Sequence, residues 1–341
     1  MKKLFFAIAT VVLLLSACKR DKPTAKKSAE VNQKDINVDI VRFERDWYAM
    51  NPKDVANSLK QLQAKYPTIY EAYYYYVMEF QKFGDENAQL SVIQKMLTNT
   101  QMLALYDSTE KTYPNLDFLE KDLKTAFANY KSYYPEKPIP QVFTCITQFA
   151  GFPAFTFDDS ILGICIDDHL GRNFVYYPNF FYEYQLTELD KKYMSVNAIN
   201  VMAQDIVPAP AARSTLLDKM LAYGKMLFFI QSLLPEKSPA VVMRYTDEQW
   251  QWCVNSEKQI WSYFLDKELL YNTDQEGFKY VQDAPTTYGM PNNAPGRVGA
   301  WLGWQIINAY VEQNPNVTLK ELINLSDSQK ILEASKYKPK Q

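Results

Sequence analysis

Hydrophobic positions along most of this chain recur at three- and four-residue spacing, the signature of helices with one buried face. Val55, Leu59 and Leu62 share one face of a helix predicted to start with Asn51 as N-cap and Pro52 in the first turn, and to end at Pro67. A second helix is predicted over residues 68–83, with Gly84 as its stop. It contains Tyr73-Tyr74-Tyr75-Tyr76, four rings that cannot share one face. Further helices are predicted over 86–106 and 115–132. After a Pro-bounded linker at 135–140 the pattern changes: residues 141–149 and 161–167 are β-branched and aromatic, with Gly151-Phe152-Pro153 and Asp158-Asp159 as turn chemistry between them. This reads as a β-hairpin. Helical spacing resumes over 187–207 and, capped by Ser214, over 214–234. Capping boxes at Thr246–Gln249 and Thr318–Glu321 open a long helix to about residue 269 and a short last one, with another helix at 297–312 between them. No 34-residue repeat is present. The expected architecture is mostly α with a small β-hairpin or sheet (α+β): helical over 37–134, a β element at 140–170, and helical over 187–325.

The N-terminus follows a different rule. Lys2 and Lys3 precede an apolar run from Phe5 to Leu15, too short to span a bilayer and therefore a targeting segment. It ends in Leu15-Ser16-Ala17-Cys18, the lipobox of a bacterial lipoprotein signal peptide: a thiol is needed where diacylglycerol is to be attached as a thioether. Residues 1–17 are expected to be removed and Cys18 acylated with palmitate-class chains. Two or three such chains hold a protein stably on a membrane, where one would be marginal. Residues 18–36 are polar and poor in aromatics, which reads as a flexible tether. The globular body is expected over 37–341, in the cell envelope and attached to membrane lipid through Cys18.

Composition narrows the function. With Lys2 and Lys3 removed from 37 basic residues against 39 acidic ones, the mature chain is about four charges negative and shows no nucleic-acid footprint. The 25 Tyr and only 10 Gly suit a helix-rich body with a large core. Outside the cytoplasm Cys145 and Cys165, flanking the predicted hairpin, could form a disulfide. Buried free thiols are the plainer reading for them and for Cys253.

His169 is the single histidine, so a Ser-His-Asp relay could use only that residue, and a zinc site built on two histidines is excluded. Asp158, Asp159, Asp167 and Asp168 cluster near it without the spacing of a calcium loop, and read as turn-forming acids closing the hairpin. Residues 295–304 are Gly-rich but lack the Gly-Lys-Ser/Thr end of a phosphate loop. Gly299 and Gly303, one turn apart, suit close helix packing, and Arg297 is placed to stack on Trp301. Glu248, Glu257 and Glu268 accompany Trp250, Trp252 and Trp261. A glycosidase-like carboxylate pair is conceivable there, but solvated face residues are the simpler reading. No catalytic residue, metal site or cofactor is assigned.

Several segments resemble one family in order along the chain. They are the lipobox at Cys18, Phe43-Glu44-Arg45-Asp46, and Leu162 through Gly171 (LGICIDDHLG). Leu216 through Lys225 (LLDKMLAYGK), Glu257 through Trp261 (EKQIW) and the segment from Gly296 to Ile306 complete the set. Together they resemble the gliding motility lipoprotein family GldB of Bacteroidota. The resemblance implies a part of the surface-gliding apparatus, in bacteria that couple gliding to type IX secretion, with other envelope proteins as partners and no known catalytic residue. A more distant resemblance to zinc-dependent proteases would place His-Glu-x-x-His on the helix after the β region. Residues 197–205 there read NAINVMAQD, which implies a zincin-like helical body without its metal, used as a structural or interaction protein. An envelope hydrolase and a generic binding lipoprotein are the alternatives.

Overall fold

The computed structural model describes residues 23–211 and 213–340. The signal segment 1–17 and Cys18 lie outside the described residues.

The N-terminal helices are cut where the sequence supplies a cap. α1 spans Phe43–Tyr48, α2 Val55–Lys65 and α3 Pro67–Glu71. Asp54, not Asn51, caps α2 by accepting from the Asn57 N–H, while Asn51 accepts from the Lys53 N–H (3.0 Å) in the turn before it. Pro67 also opens α3. The tyrosine run lies in a π-helical turn, Ala72–Val77, where the Met78 N–H reaches back to the Tyr73 carbonyl (2.9 Å). Tyr73 and Tyr74 point inward there, and Tyr75 and Tyr76 stay exposed. α4 (Glu86–Thr98) and α5 (Thr100–Thr112) replace the one helix predicted over 86–106. The Asn99 carboxamide accepts from the N–H groups of Gln101 and Met102, so a capping side chain breaks the run. α6 is Asp117–Tyr133.

The β element is a mixed sheet. β1 (Ile40–Arg42), β2 (Gln141–Cys145), β3 (Ala154–Phe157) and β4 (Ile161–Cys165) lie in the order β1-β2-β4-β3. β1 and β2 are parallel, β2 and β4 are parallel, and β3 pairs antiparallel with β4. The expected hairpin between 141–149 and 161–167 is therefore corrected: those strands are parallel neighbours, and the hairpin is β3–β4. A parallel pair needs a crossover and carries no local turn signature. The sheet separates two cores, which is why its strands read as continuous apolar runs rather than alternating ones. Val142, Leu162 and Ile164 face the larger core, and Phe143, Cys145, Ile161 and Cys165 face the smaller one. In the smaller core Phe43 sits edge-on to Tyr73 (5.1 Å) and Phe143 (5.8 Å). Gly163 leaves room for the Phe155 ring, which a Cβ would meet at 2.2 Å.

α7 (Met194–Ile206), α8 (Leu216–Leu233) and α12 (Val298–Gln313) build the larger core with α6. Around them lie α9 (Pro239–Met243), α10 (Asp247–Asn255), α11 (Glu257–Asp266), α13 (Leu319–Asn324) and α14 (Ser328–Ser335). The capping box of α8 is Thr215 with Asp218, one residue later than expected. The helix predicted from Thr246 to residue 269 breaks at Ser256. α14 lies beyond the predicted helical region. Gly224 and Gly303 let α8 and α12 cross in backbone contact: a Cβ on Gly303 would stand 1.9 Å from the Met220 carbonyl oxygen, while Gly299, expected to share that helix contact, packs instead on Tyr280 and Val281.

The stretch expected as a tether is docked from Ala25 onward. Ala25 and Ile36 are buried, the Lys26 N–H donates to the Val317 carbonyl (2.8 Å), and Ser28 and Ala29 donate to the Ser132 carbonyl (2.9 and 3.0 Å). Its polar composition hid this because backbone groups make most of the contacts.

Candidate functional site

Asp167, Asp168 and His169 form a short 3₁₀ turn at the C-terminal end of β4, between the two cores, and all three are essentially sealed from solvent. They are not the turn acids of a hairpin. The Asp167 carboxylate accepts from the N–H groups of Thr147 and Phe149, each at 3.1 Å, and so closes the loop after β2. Gln148 and Phe149 in that loop hold positive φ angles of 59° and 64°, a conformation that side-chain-bearing residues adopt only when it is held in place. The Tyr177 hydroxyl donates to the Asp167 carbonyl (2.6 Å) and accepts from the Leu170 N–H (2.8 Å). The Tyr113 hydroxyl donates to the His169 carbonyl.

His169 Nδ1 lies 2.9 Å from the Cys165 carbonyl, an acceptor, so Nδ1 carries the proton. Nε2 then accepts from the Asn197 amide (3.1 Å). Burial pushes the imidazole down to about 4, so the ring is neutral at pH 7. Burial raises both carboxyls. Asp167 has backbone donors that favour its charge, whereas neither oxygen of Asp168 has a partner among the described residues, so Asp168 is the one that keeps its proton. With both imidazole nitrogens engaged and no nucleophile hydrogen-bonded to the ring, the cluster acts as a brace: it locks β4 to the loop after β2 and to α7.

The other expected residues are dispersed. Asp158 and Asp159 are exposed in the β3–β4 turn, and Asp159 pairs with Lys137 (2.9 Å). Cys145 and Cys165 stand opposite one another in the parallel ladder, and Cys145, Cys165 and Cys253 are all free thiols. The disulfide considered between the first two is not formed. Glu257 is buried and accepts from the Tyr337 hydroxyl (2.8 Å), while Glu248 and Glu268 are exposed, so the three glutamates do not face one cleft. Arg297 does not stack on Trp301. Its guanidinium pairs with Glu188 (2.8 Å) and Asp283 (2.9 Å) and lies over the Tyr245 ring, while Trp301 meets Trp250 edge-on. Arg297 itself sits at φ 62° before α12, which turns its side chain away from the helix that follows. Its partners are 109 and 14 residues away, out of reach of a helical-spacing argument.

The Phe43-Glu44-Arg45-Asp46 motif is structural. Phe43 fills the smaller core. Buried Glu44 accepts from the Thr144 hydroxyl (2.7 Å) and from Arg42, and Asp46 accepts from Tyr66 (2.8 Å) and Lys65 (2.8 Å).

Two concave regions stand out among the described residues: a cavity of about 470 Å³ between the 208–214 segment, α8 and residues 323–328, and a longer groove along the outer edge of β3. In the groove, one cavity of about 330 Å³ lies between β3, the π turn at Tyr76 and Val77, and α7. A second of about 490 Å³ continues it toward Arg297, and the two share Phe152, Ala154, Val201 and Gln204. α7 turns Asn197, Asn200, Val201 and Gln204 toward the groove, one residue per helical turn or closer. These amides were missed in the sequence, where the helix was read for histidines; their three- and four-residue spacing was the available signal. Among the described residues no group of three or more His, Cys, Asp or Glu side chains could hold a metal ion, and no helix is long and apolar enough to cross a membrane.

Fold and site thus define a helix-rich α+β body with a buried brace as its ionisable cluster and a groove beside an edge strand among its open features. Residues 24–339 match the family described as gliding motility protein GldB, and the chain belongs to that family. No curated protein and no solved structure matches it.

Proposed function

We propose that this protein is a structural component of the gliding apparatus in the cell envelope, anchored to membrane lipid through acylated Cys18, and that it works by holding another gliding or type IX secretion protein rather than by catalysis. The observation that carries this reading is the family match across residues 24–339. The chemistry of the body supports it. Its one histidine is neutral and engaged at both ring nitrogens, Asp167 holds backbone, Glu44 and Glu257 accept from neighbouring side chains, and Asp283 and Arg297, which line its groove, pair with each other. Lipid anchoring would concentrate such a surface near its envelope partners.

The test is genetic and biochemical together. Deleting the gene should abolish spreading and single-cell movement on a surface. Glu248→Gln and Glu257→Gln, in cells where the variant accumulates to normal levels, should leave movement intact. Loss of gliding in a stable variant, matched by loss of a hydrolytic activity in the purified protein, would replace this reading with an envelope hydrolase.

A further inference from the structure

β3 is the open edge of the sheet, and the alternation of an antiparallel ladder says which of its backbone groups are unused. The Cys165 N–H donates to the Pro153 carbonyl (3.0 Å), so residues 153, 155 and 157 exchange hydrogen bonds with β4. Ala154 and Thr156 therefore turn their N–H and C=O groups away from β4; Thr156 is partly exposed and offers them to the groove, while Ala154 is only 3% exposed at its inner end. The edge is blunted only at its ends, where Pro153 precedes a strand of four residues and Asp158-Asp159 follow it. Residues 150–157 read AGFPAFTF, without the charged side chains that usually protect an exposed strand, and the proline sits at the start of the strand rather than on its outward-facing positions.

The space beside that edge has two walls. On one face stand Tyr76 and Val77 of the π turn; on the other stand Val201 and Gln204 of α7. α7 also presents Asn197 and Asn200 where the groove widens. Neither Asn200 nor Gln204 makes a side-chain hydrogen bond within the described residues, and the Asn197 carbonyl oxygen, in a residue only 2% exposed, has no partner. Carboxamides both donate and accept, which is what a peptide backbone requires. The far end of β3 is acidic: Asp158 and Asp205 flank Thr156 in an adjoining cavity.

We propose that this slot binds an extended segment of a partner protein as an added strand on β3. The segment pairs its backbone with Thr156, the outward position open to the groove, presents apolar side chains to the Tyr76–Val77 and Val201 walls, and places a basic side chain near Asp158 and Asp205. Strand addition takes affinity from main-chain hydrogen bonds and specificity from the pockets for alternate side chains. The inference rests on the holding role proposed above and names the kind of partner held.

The probe is a displayed library of random dodecapeptides selected on the full chain purified in detergent, with the selected sequences made synthetically and measured by fluorescence anisotropy. The expected outcome is enrichment of proline-free peptides with alternating apolar residues and a basic residue at one end. Thr156→Pro removes one outward N–H at an edge position where proline is tolerated, and Val201→Arg fills one wall. Each should weaken binding about tenfold or more while circular dichroism and melting stay unchanged. N-methylating alternate amides of a bound peptide should abolish binding in one register and spare it in the other, a readout that leaves the protein untouched should a variant misfold. Enrichment no greater than on detergent alone, selected peptides that bind both variants as tightly as the parent, or N-methylation without register dependence would overturn the strand site. If the peptides behave as expected but Val201→Arg cells glide normally, the strand site stands and it is the holding role in gliding that fails.

Discussion

Replacing Gly303 with alanine tests the central packing claim, because two effects of opposite sign compete at one position. Alanine in a helix interior is favoured over glycine by about 1 kcal/mol, so a Gly303 that merely occupied α12 would give a more stable protein on substitution. The added Cβ, however, would stand 1.9 Å from the Met220 carbonyl oxygen and 2.4 Å from its carbon, both main-chain atoms of α8. An ordinary contact needs about 3.4 Å, so the helices would have to part by roughly 1.5 Å, and no rotamer change can relieve a backbone contact. Gly224 opposes the same crossing, with its own added Cβ at 2.5 Å from the Gly303 carbonyl carbon, so sliding one helix along the other brings no relief. Overpacking of this kind costs about 3 kcal/mol or more, and after the propensity gain a net loss of about 2–3 kcal/mol remains. With an unfolding entropy of about 2.1 cal/mol/K per residue, a chain of this size would lose roughly 3–5 °C in Tm. Thermal melts by circular dichroism would read it, with Gly277→Ala as control. There the new Cβ meets only Lys219 and Leu216 side-chain atoms at 3.5 and 3.7 Å, and stability should hold or rise slightly. A Gly303→Ala protein as stable as the parent would refute the close crossing of α8 and α12.

Three further outcomes are expected. Arg297→Ala strands Glu188 and Asp283 beside a buried position and should cost about 2–3 kcal/mol by urea denaturation, with Arg297→Lys restoring part of it; an unchanged midpoint would remove the ion-pair account. The buried His169 refuses a proton that the unfolded chain takes up near pH 6.5, so its contribution to stability is present above that pH and is lost as pH falls toward about 4, by up to roughly 3 kcal/mol; His169→Gln should flatten urea midpoints across that window. Cys18→Ser should leave an uncleaved precursor that takes up no labelled fatty acid, and labelling of this variant would exclude the lipobox assignment.

Local chemistry was legible in the sequence, and long-range pairing was not. The capping boxes at Thr246 and Thr318 stand where they were read, because every group in them lies within three residues. Of the glycines at 299 and 303, read as one close helix contact, only Gly303 meets an α-helix, and Gly299 packs on Tyr280 and Val281. The helix breaks at Asn99 and Ser256 escaped notice because hydrophobic spacing runs through them; the first is a local cap whose asparagine could have been weighed as one. The β2–β4 pairing escaped because parallel neighbours share no turn. Arg297 was assigned to Trp301 because a helical argument sees one turn ahead, whereas Glu188 arrives from a distant loop. Asp167, Asp168 and His169 were visible as a cluster, yet burial reversed their meaning: acids next to a Gly look like a solvated turn until the two cores on either side are known.

That reversal bears on where the function of this family member resides. The segments that carry the family resemblance are mostly frame. Phe43 through Asp46 pins α1 to the smaller core and to β2. Residues 162–171 are β4 and the brace that holds the loop after β2, and 216–225 and 296–306 are the two helices that cross at Gly224 and Gly303. A motif made of buried side chains keeps a shape and recognises nothing by itself. Inside those segments the groups without a hydrogen-bond partner among the described residues, such as the Asp168 carboxyl and the Trp301 and Trp304 indoles, are sealed from solvent, whereas those that border the groove are the outward backbone of Thr156, the side-chain oxygen of Asn197, and the amides of Asn200 and Gln204. The brace reaches them through one bond, from the Asn197 amide to His169, which fixes the position of α7 beside the sheet edge. Rigid support of a contact surface by a buried polar network is how a binding groove keeps its width without a ligand, and so binds without the cost of ordering itself. The division predicts different failures for different substitutions. Changes in the motif segments should lower stability and abundance, whereas changes along β3 and the exposed face of α7 should leave a well-folded protein that no longer holds its partner.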